Sequence, residues 1–124
     1  MKLNPDCTRE ILLTVEAACD YNHIFSYSAC KELKTKFSDE ELRYHARQCD
    51  LAGFFYGYGS DIAGDWHVKD LSPKGHEFLA NIRSDTVWND VKAVCSKVGT
   101  KSLSAIAQIA SAVVTEIIKA QLHL

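Results

Sequence analysis

The chain has 124 residues, of which 47% are hydrophobic, and its 14 basic and 16 acidic side chains leave a formal net charge of −2. This length suits a single domain with its own core, and this composition excludes an intrinsically disordered chain. A bare nucleic-acid module is usually basic overall, so the charge balance argues against avid non-specific DNA binding.

The cysteines and the N-terminus indicate the cellular compartment. The five cysteines are odd in number and form no C-x-x-C pair, which favours reduced thiols over a disulfide or zinc framework. The opening MKLNPDCTRE has no apolar run, so we expect no signal peptide. The apolar stretch from Ser102 to Thr115 is too short and too rich in Ser and Ala to span a bilayer. We therefore predict a cytoplasmic protein with no membrane partner.

The first third of the chain predicts two helices around a short strand. Asn4 is a good N-cap, and the proline after it suits the first position of a helix. A loop follows at 20–23, and residues 24–25 have the character of a short strand. Ser26 or Ser28 should cap a second, short helix that carries Ala29, Cys30 and Leu33.

The third predicted helix has the clearest local signal. Ser38 with Glu41 three residues later forms a capping box, and the acids of the first turn complement the helix dipole. Leu42, Ala46 and Cys49 form its inward stripe, and Gly53 should end it. We predict one helix over residues 38–52.

A β-hairpin and three more helices should follow. Residues 54–58 are an aromatic run with strand character, and a turn-like segment separates them from a returning strand at 66–69. The antiparallel hairpin should therefore span about 54–70. A fourth helix begins at Ser72-Pro73, a fifth runs from about 85 to 99, and a sixth from about 102 to 122.

This order of elements predicts a mainly α fold with a small β-hairpin, a winged helix-turn-helix with additional C-terminal helices. The turn would lie at 34–37, the third helix would be the recognition helix, and the hairpin would be the wing. We expect residues 1–83 to form the winged-helix domain. Residues 84–124 should pack on it as helices of the same structural unit.

Two segments resemble bacterial winged-helix regulators. The run from Glu41 to Phe54 is similar to their recognition helix, which often ends in Ala-Gly before an apolar strand, and Leu71-Ser72-Pro73-Lys74-Gly75 is similar to the stretch that leaves their wing. Almost the whole chain also resembles a family of uncharacterised bacterial and prophage proteins, domain of unknown function 2513. The matching segments are Met1–Asp6, the run from Ser38 through Asp50, and Gly75–Arg83. This resemblance implies a winged helix in a mobile-element setting and no assigned activity.

Double-stranded DNA is the partner that this fold favours. Arg43, Tyr44 and Arg47 fall opposite the inward stripe of the third helix, where arginine can read guanine edges and tyrosine can bond phosphate. The basic side chains that could grip phosphate are Lys31, Lys34 and Lys36. The competing interpretation is an ordinary solvated helix face.

Acidic residues favour a different class of partner. Two arginines oppose four acids between Ser38 and Ala52, which leaves a net charge of −2 on the third helix. The hairpin tip, Gly59 to Asp65, holds two acids and no base. The alternative is therefore a winged helix that engages a host or phage protein through its acidic face and wing.

Neither a metal site nor a catalytic site is predicted. His45 and Cys49 stand four apart, a spacing that could place two ligands on one helix face, but no second pair accompanies them. The sequence also lacks a G-x-S-x-G elbow, a P-loop and an H-E-x-x-H motif. We expect no cofactor and no enzymatic activity.

The last predicted helix is apolar over much of its circumference. Such a helix is usually covered by two partners, and we expect the second partner to be the same helix of another chain. The residues predicted to line this homodimer interface are Ile106, Ile109, Val113 and Ile117.

Overall fold

A computed structural model describes residues 1–100 and 102–123. The fold is mainly helical with a small antiparallel sheet. Its α-helices are α1 (Pro5–Ala18), α2 (Asp39–Leu51), α3 (Pro73–Ile82), α4 (Asp85–Val98) and α5 (Leu103–Leu122). Its strands are β1 (Phe25–Ser26), β2 (Phe55–Tyr56), β3 (Gly59–Ser60), β4 (Trp66–Val68) and β5 (Asp70–Leu71).

Each α-helix begins at a side chain that accepts a hydrogen bond from a first-turn backbone N–H. These capping residues are Asn4, Ser38, Ser72, Ser84 and Ser102. Ser38 completes the predicted capping box: its hydroxyl accepts from the Glu41 N–H, and the Glu41 carboxylate accepts from the Ser38 N–H, both at 3.2 Å. Gly53 follows α2 in the left-handed region at φ +82°, as predicted for a helix end.

The prediction of a second, short helix is wrong. Two 3₁₀ turns, Tyr27–Ala29 and Leu33–Thr35, take its place. The Ser26 and Ser28 hydroxyls pair with each other at 3.1 Å, and the Ser26 side chain caps nothing. Each turn buries a single side chain, Tyr27 or Leu33, so this segment has no apolar stripe long enough to stabilise a longer helix.

The predicted antiparallel hairpin is confirmed. β2 pairs with β5, with Phe55 opposite Leu71, and β3 pairs with β4, with Gly59 opposite His67. β1 joins the other side of β4, which makes a three-stranded sheet in the order β1-β4-β3. The hairpin is therefore held at its base by its own strands and near its tip by a strand that precedes α2.

Close packing joins the hairpin to α3. Phe54 is fully buried, and its ring stacks on Phe78 of α3 with centroids 4.8 Å apart. A Cβ on Gly75 would collide with the backbone carbonyl of Phe54. Glycine at this position lets the first turn of α3 lie directly against the start of the hairpin.

Polar contacts attach α1 to α4. The Asp6 carboxylate accepts hydrogen bonds from Trp88 Nε1 at 2.8 Å and from Lys92 Nζ at 3.0 Å. Arg9 reaches the turn between α3 and α4, where its guanidinium bonds the Ile82 carbonyl at 3.0 Å and the Asp85 carboxylate at 2.9 Å. These contacts fix the C-terminal helices against the N-terminal part of the chain.

Asp6 gives this attachment a pH dependence. Burial alone would raise the pKa of its carboxyl, but the hydrogen bonds from Trp88 and Lys92 outweigh it, so the pKa lies below its ordinary 3.8. A lowered pKa in the folded state stabilises the protein above the ordinary value, and this stabilisation is lost as the pH falls through the folded value. The Asp6 side chain is 53% exposed, which limits its contribution to less than about 1 kcal/mol.

We expect Asp6→Asn to lower the free energy of unfolding at pH 7 by this small amount. The difference from the unmodified protein should shrink as the pH falls below about 4. Urea unfolding at pH 7, 5 and 3 measures it, and Asp90→Asn, at an exposed position on α4, is the matched control. A difference that stays constant across this range would contradict the assignment.

The helix α5 packs against α4 and α3, and its buried residues Leu103, Ile106 and Ala110 all lie in its first half. Ile106 is fully buried in the chain's own core, and Ile109 and Val113 are half-buried against it. The prediction that Ile106 lines a subunit interface is therefore corrected, because its side chain has no exposed surface to contribute. Ile117 is 37% exposed.

Candidate nucleic-acid interface

The helix α2 has the two faces that the sequence predicts. Leu42, Ala46 and Cys49 are fully buried, whereas Arg43 and Arg47 are exposed. Because these arginines are four residues apart, they lie on adjacent turns of the same face. Tyr44 is half-buried, and its ring meets the ring of His45 edge-on with centroids 5.1 Å apart.

His45 has a structural position inside this helix. Its Nδ1 donates to the Glu41 carbonyl at 2.6 Å, and its Nε2 accepts from the Asn4 backbone N–H at 2.7 Å. Both ring nitrogens are therefore engaged in joining the start of α1 to α2. Across residues 1–100 and 102–123, no group of three or more His, Cys, Asp or Glu side chains is arranged to hold a metal ion.

Arg43 contacts the hairpin tip, which comprises Gly59 to Asp65. Its guanidinium lies over Gly64, where a Cβ would come within 2.6 Å of Nη2 and collide with the guanidinium carbon. Gly64 also has φ +88°, a conformation that side chains rarely adopt. At Gly64, therefore, the exposed face of α2 meets the hairpin tip through the side chain of Arg43.

The two acids of the tip are engaged within the protein. The Asp65 carboxylate accepts from the Ser28 N–H at 3.0 Å and from the Trp66 N–H at 2.9 Å. The Asp61 carboxylate accepts from the Asp65 N–H at 3.0 Å, a local bond typical of aspartate in turns. These carboxylates shape the tip and attach it to the segment before α2.

Tyr27 connects that segment to the start of α2. Its hydroxyl donates a hydrogen bond to the Asp39 carboxylate, and Lys34 Nζ lies 4.5 Å from the centroid of its ring, within reach of a cation–π interaction. Burial, together with the negative charge of Asp39, raises the pKa of the Tyr27 phenol above its ordinary range. No local motif in the sequence singles out Tyr27, because its partner Asp39 is twelve residues away.

Lys34 and Arg43 border one small polar cleft of about 190 Å³. The cleft lies between the 3₁₀ segment, the start of α2 and the hairpin tip. The other side chains around it include those of Tyr27, Asp39 and Asp65. Lys34, predicted to bind phosphate, and Arg43, predicted to read bases, thus lie beside the same cleft.

The remaining predicted lysines lie elsewhere. Lys36 Nζ pairs with the Glu10 carboxylate of α1 at 3.3 Å. Lys31 borders a different cleft, between the end of α1 and β1. Within the described part of the chain, Lys31, Lys34, Arg43 and Arg47 form no ion pair within 4.0 Å. The five basic residues among those predicted therefore do not form one continuous stripe.

The sequence is similar to those of a protein family and of a bacterial protein. The model of the family described as "Hypothetical protein (DUF2513)" matches residues 2–101. The chain belongs to this family. An uncharacterized protein of Haemophilus influenzae is 33% identical over 121 residues, which cover 95% of this chain and 99% of the relative. No solved structure matches the chain.

The family match contains the whole candidate interface. Residues 2–101 include α2, the hairpin and the 3₁₀ segment, whereas α5 begins at Leu103. The similarity to the Haemophilus influenzae relative covers 95% of this chain and therefore includes most of α5 as well. The DUF2513 description assigns no activity, so function has to be argued from the site.

Proposed function

We propose that the chain is a winged-helix DNA-binding protein that regulates transcription in a phage or mobile element. The order of elements supports this proposal: α1, β1, the 3₁₀ segment, α2, and then an antiparallel hairpin to which β1 adds a strand. In this interpretation α2 is the recognition helix and the hairpin is the wing. An α-helix fits the major groove of B-DNA, where arginine side chains distinguish base edges.

The observation that carries the proposal is the contact between Arg43 and Gly64. It joins the exposed face of α2 to the hairpin tip, so a duplex lying on α2 would also lie beside the tip. Lys34 borders the same cleft and is positioned to meet a phosphate at the edge of the groove. Arg47, exposed on the next turn of α2, would enter the groove itself.

The acidic side chains near this surface disfavour non-specific binding to DNA. Asp39, Asp61 and Asp65 make hydrogen bonds within the protein, but their negative charge remains close to where phosphates would lie. Counter-ion release on binding depends on basic groups near phosphate, and few are present. Affinity should therefore come from contacts with a particular base sequence.

A protein-binding function is the second candidate, and the tip of the hairpin favours it. Ile62 is fully exposed there between Asp61 and Ala63. An apolar side chain flanked by an acid suits a protein surface better than a phosphate backbone. In this alternative the acidic face of α2 and the hairpin tip engage a host or phage protein.

Selection from random duplexes at about 50 mM salt distinguishes the two functions, since electrostatic binding is strongest at low salt. DNA binding predicts an enriched sequence whose affinity falls as salt is raised. Arg43→Ala combined with Arg47→Ala should abolish the enrichment, whereas Ile62→Ser should leave it unchanged. If no DNA sequence is enriched and no duplex binds at this salt concentration, the DNA-binding proposal is contradicted. The protein-binding alternative is then favoured.

A further inference from the structure

The last two turns of α5 extend beyond the helices against which it packs. The helix α4 has 14 residues and α5 has 20, lengths of about 21 Å and about 30 Å at 1.5 Å per residue. A connection of a few residues joins them, and α5 contacts both α4 and α3. Every residue from 115 to 123 is exposed. We call residues 115–122 the α5 extension.

The apolar face of α5 continues from the core onto this extension. Ala110 is fully buried, Val114 is half-buried, Ile118 is 50% exposed and Leu122 is 60% exposed. These residues are four apart and form one ridge along the helix. Ile117, beside that ridge, lies one turn beyond Val113. The face that fills the chain's own core in the first half of α5 is thus exposed to solvent from residue 115 onward.

The charges of the extension indicate what could cover this face. Glu116 and Lys119 are the charged residues of 115–122, and they pair with each other at 3.6 Å on the opposite side of the helix. The apolar face therefore offers no charge to an acidic or basic partner. A surface that is itself apolar and uncharged complements it, and another α5 extension has this character.

Membrane association has less support. By length and composition α5 could cross a membrane. An 18-residue stretch of it has a mean hydropathy of 1.4, and 17% of that stretch is buried. An interfacial helix, however, usually carries several Lys or Arg on its polar face and aromatic side chains on the other. The extension has a single Lys balanced by a Glu, and no aromatic residue.

We propose that the α5 extensions of two copies of this chain pack against each other in a symmetric homodimer. The ridge Ala110–Val114–Ile118–Leu122 of one copy would fit beside the same ridge of the other, as in helix pairs whose i±4 ridges interdigitate. Two turns from each chain make a small contact, below the roughly 1,200 Å² of a standard interface. The dimer should therefore dissociate in the micromolar range. This proposal does not depend on DNA binding.

Sedimentation velocity of the full chain, from low to hundreds of micromolar, tests the proposal. The unmodified chain should shift from monomer to dimer across this range. Ile117→Asp combined with Ile118→Asp should raise the dissociation constant by at least about tenfold, because each copy would bury unpaired carboxylates. Ala112→Asp combined with Lys119→Ala changes the net charge by the same two units on the opposite face of the helix and should leave the constant unchanged. Since all four positions are solvent-exposed or at the edge of the fold, circular dichroism should report folded protein throughout.

Three results would overturn the proposal. The first is an unmodified chain that stays monomeric at hundreds of micromolar. The second is a dimer that the Ile117→Asp and Ile118→Asp pair does not weaken, which would locate the interface elsewhere. The third is a monomer that co-sediments with phosphatidylglycerol vesicles and loses this binding in the same variant, which would assign the α5 extension to a membrane surface.

Discussion

Trp66→Ala should lower the free energy of unfolding by about 3–5 kcal/mol, the usual cost of removing a large aromatic side chain from a core. Trp66 is 2% exposed and lies on β4, the central strand of the three-stranded sheet. Its ring lies 5.0 Å from that of Phe25 and stacks on that of Tyr27 at 5.3 Å, between centroids. Removing it would leave a cavity between the hairpin and the segment that precedes α2.

The same substitution should also affect the candidate interface. Tyr27 bonds Asp39 at the start of α2, and Asp65, next to Trp66, attaches the hairpin tip to Ser28. Loss of the Trp66 ring should therefore loosen the tip relative to α2. Amide hydrogen exchange should report faster exchange for residues 59–68 than for α4.

Trp66→Phe is the matched control. Among the described residues, Trp66 Nε1 is buried without a hydrogen-bond partner, and an unsatisfied buried donor costs free energy. Phenylalanine keeps an aromatic ring and removes that donor, so the loss of stability should be below about 1.5 kcal/mol. If urea unfolding shows the same loss of stability for the alanine and the phenylalanine variants, the role assigned to the aromatic ring is contradicted.

The helix boundaries were predictable because their signals are local. The capping box at Ser38 and Glu41 and the glycine at 53 act within one turn of the helix that they bound. The hairpin was predictable for a similar reason, since aromatic strands and a glycine-containing turn lie next to each other in the chain. These features need no knowledge of which distant residues meet.

The segment between β1 and α2 was not predictable in the same way. Ala29, Cys30 and Leu33 have helical spacing, but the segment is held by long-range contacts of Tyr27 and Ser28. Such tertiary contacts override weak local propensity. A continuous helix would have placed Lys31 and Lys34 on neighbouring turns of one face. The two 3₁₀ turns instead direct them to different clefts.

The exposure of single side chains was therefore predictable, whereas their arrangement in space was not. The exposure of Arg43 and Arg47 followed from the 3.6-residue period of α2. The pairing of Lys36 with Glu10 and the contact of Arg43 with Gly64 depend on how α1 and the hairpin pack. The role of Asp65 as an acceptor for backbone N–H groups was also hidden, because its partner Ser28 is 37 residues away.

For a DNA sequence obtained by selection, Arg47→Ala should weaken binding by about 1–3 kcal/mol and relax the preference at one base pair, because a base-reading contact is lost. Lys34→Ala should weaken binding to all duplexes alike and lower the slope of log affinity against log salt by about one, because a phosphate contact is lost. Arg47 is exposed in mid-helix, whereas Lys34 borders the cleft at the edge of α2. Fluorescence anisotropy across a salt series measures both effects.

Lys36→Ala is the control that the structure supplies for this pair. Lys36 carries the same charge and lies two residues from Lys34, but its Nζ is paired with Glu10 at 3.3 Å on the side of α1. Its removal should leave both the affinity and the salt slope unchanged. If Lys36→Ala lowers the slope as much as Lys34→Ala, DNA contacts the 3₁₀ segment through its general charge and not through the cleft between Lys34 and Arg43. If Arg47→Ala lowers the affinity equally for selected and random duplexes, Arg47 contacts the phosphate backbone of the DNA and does not read bases.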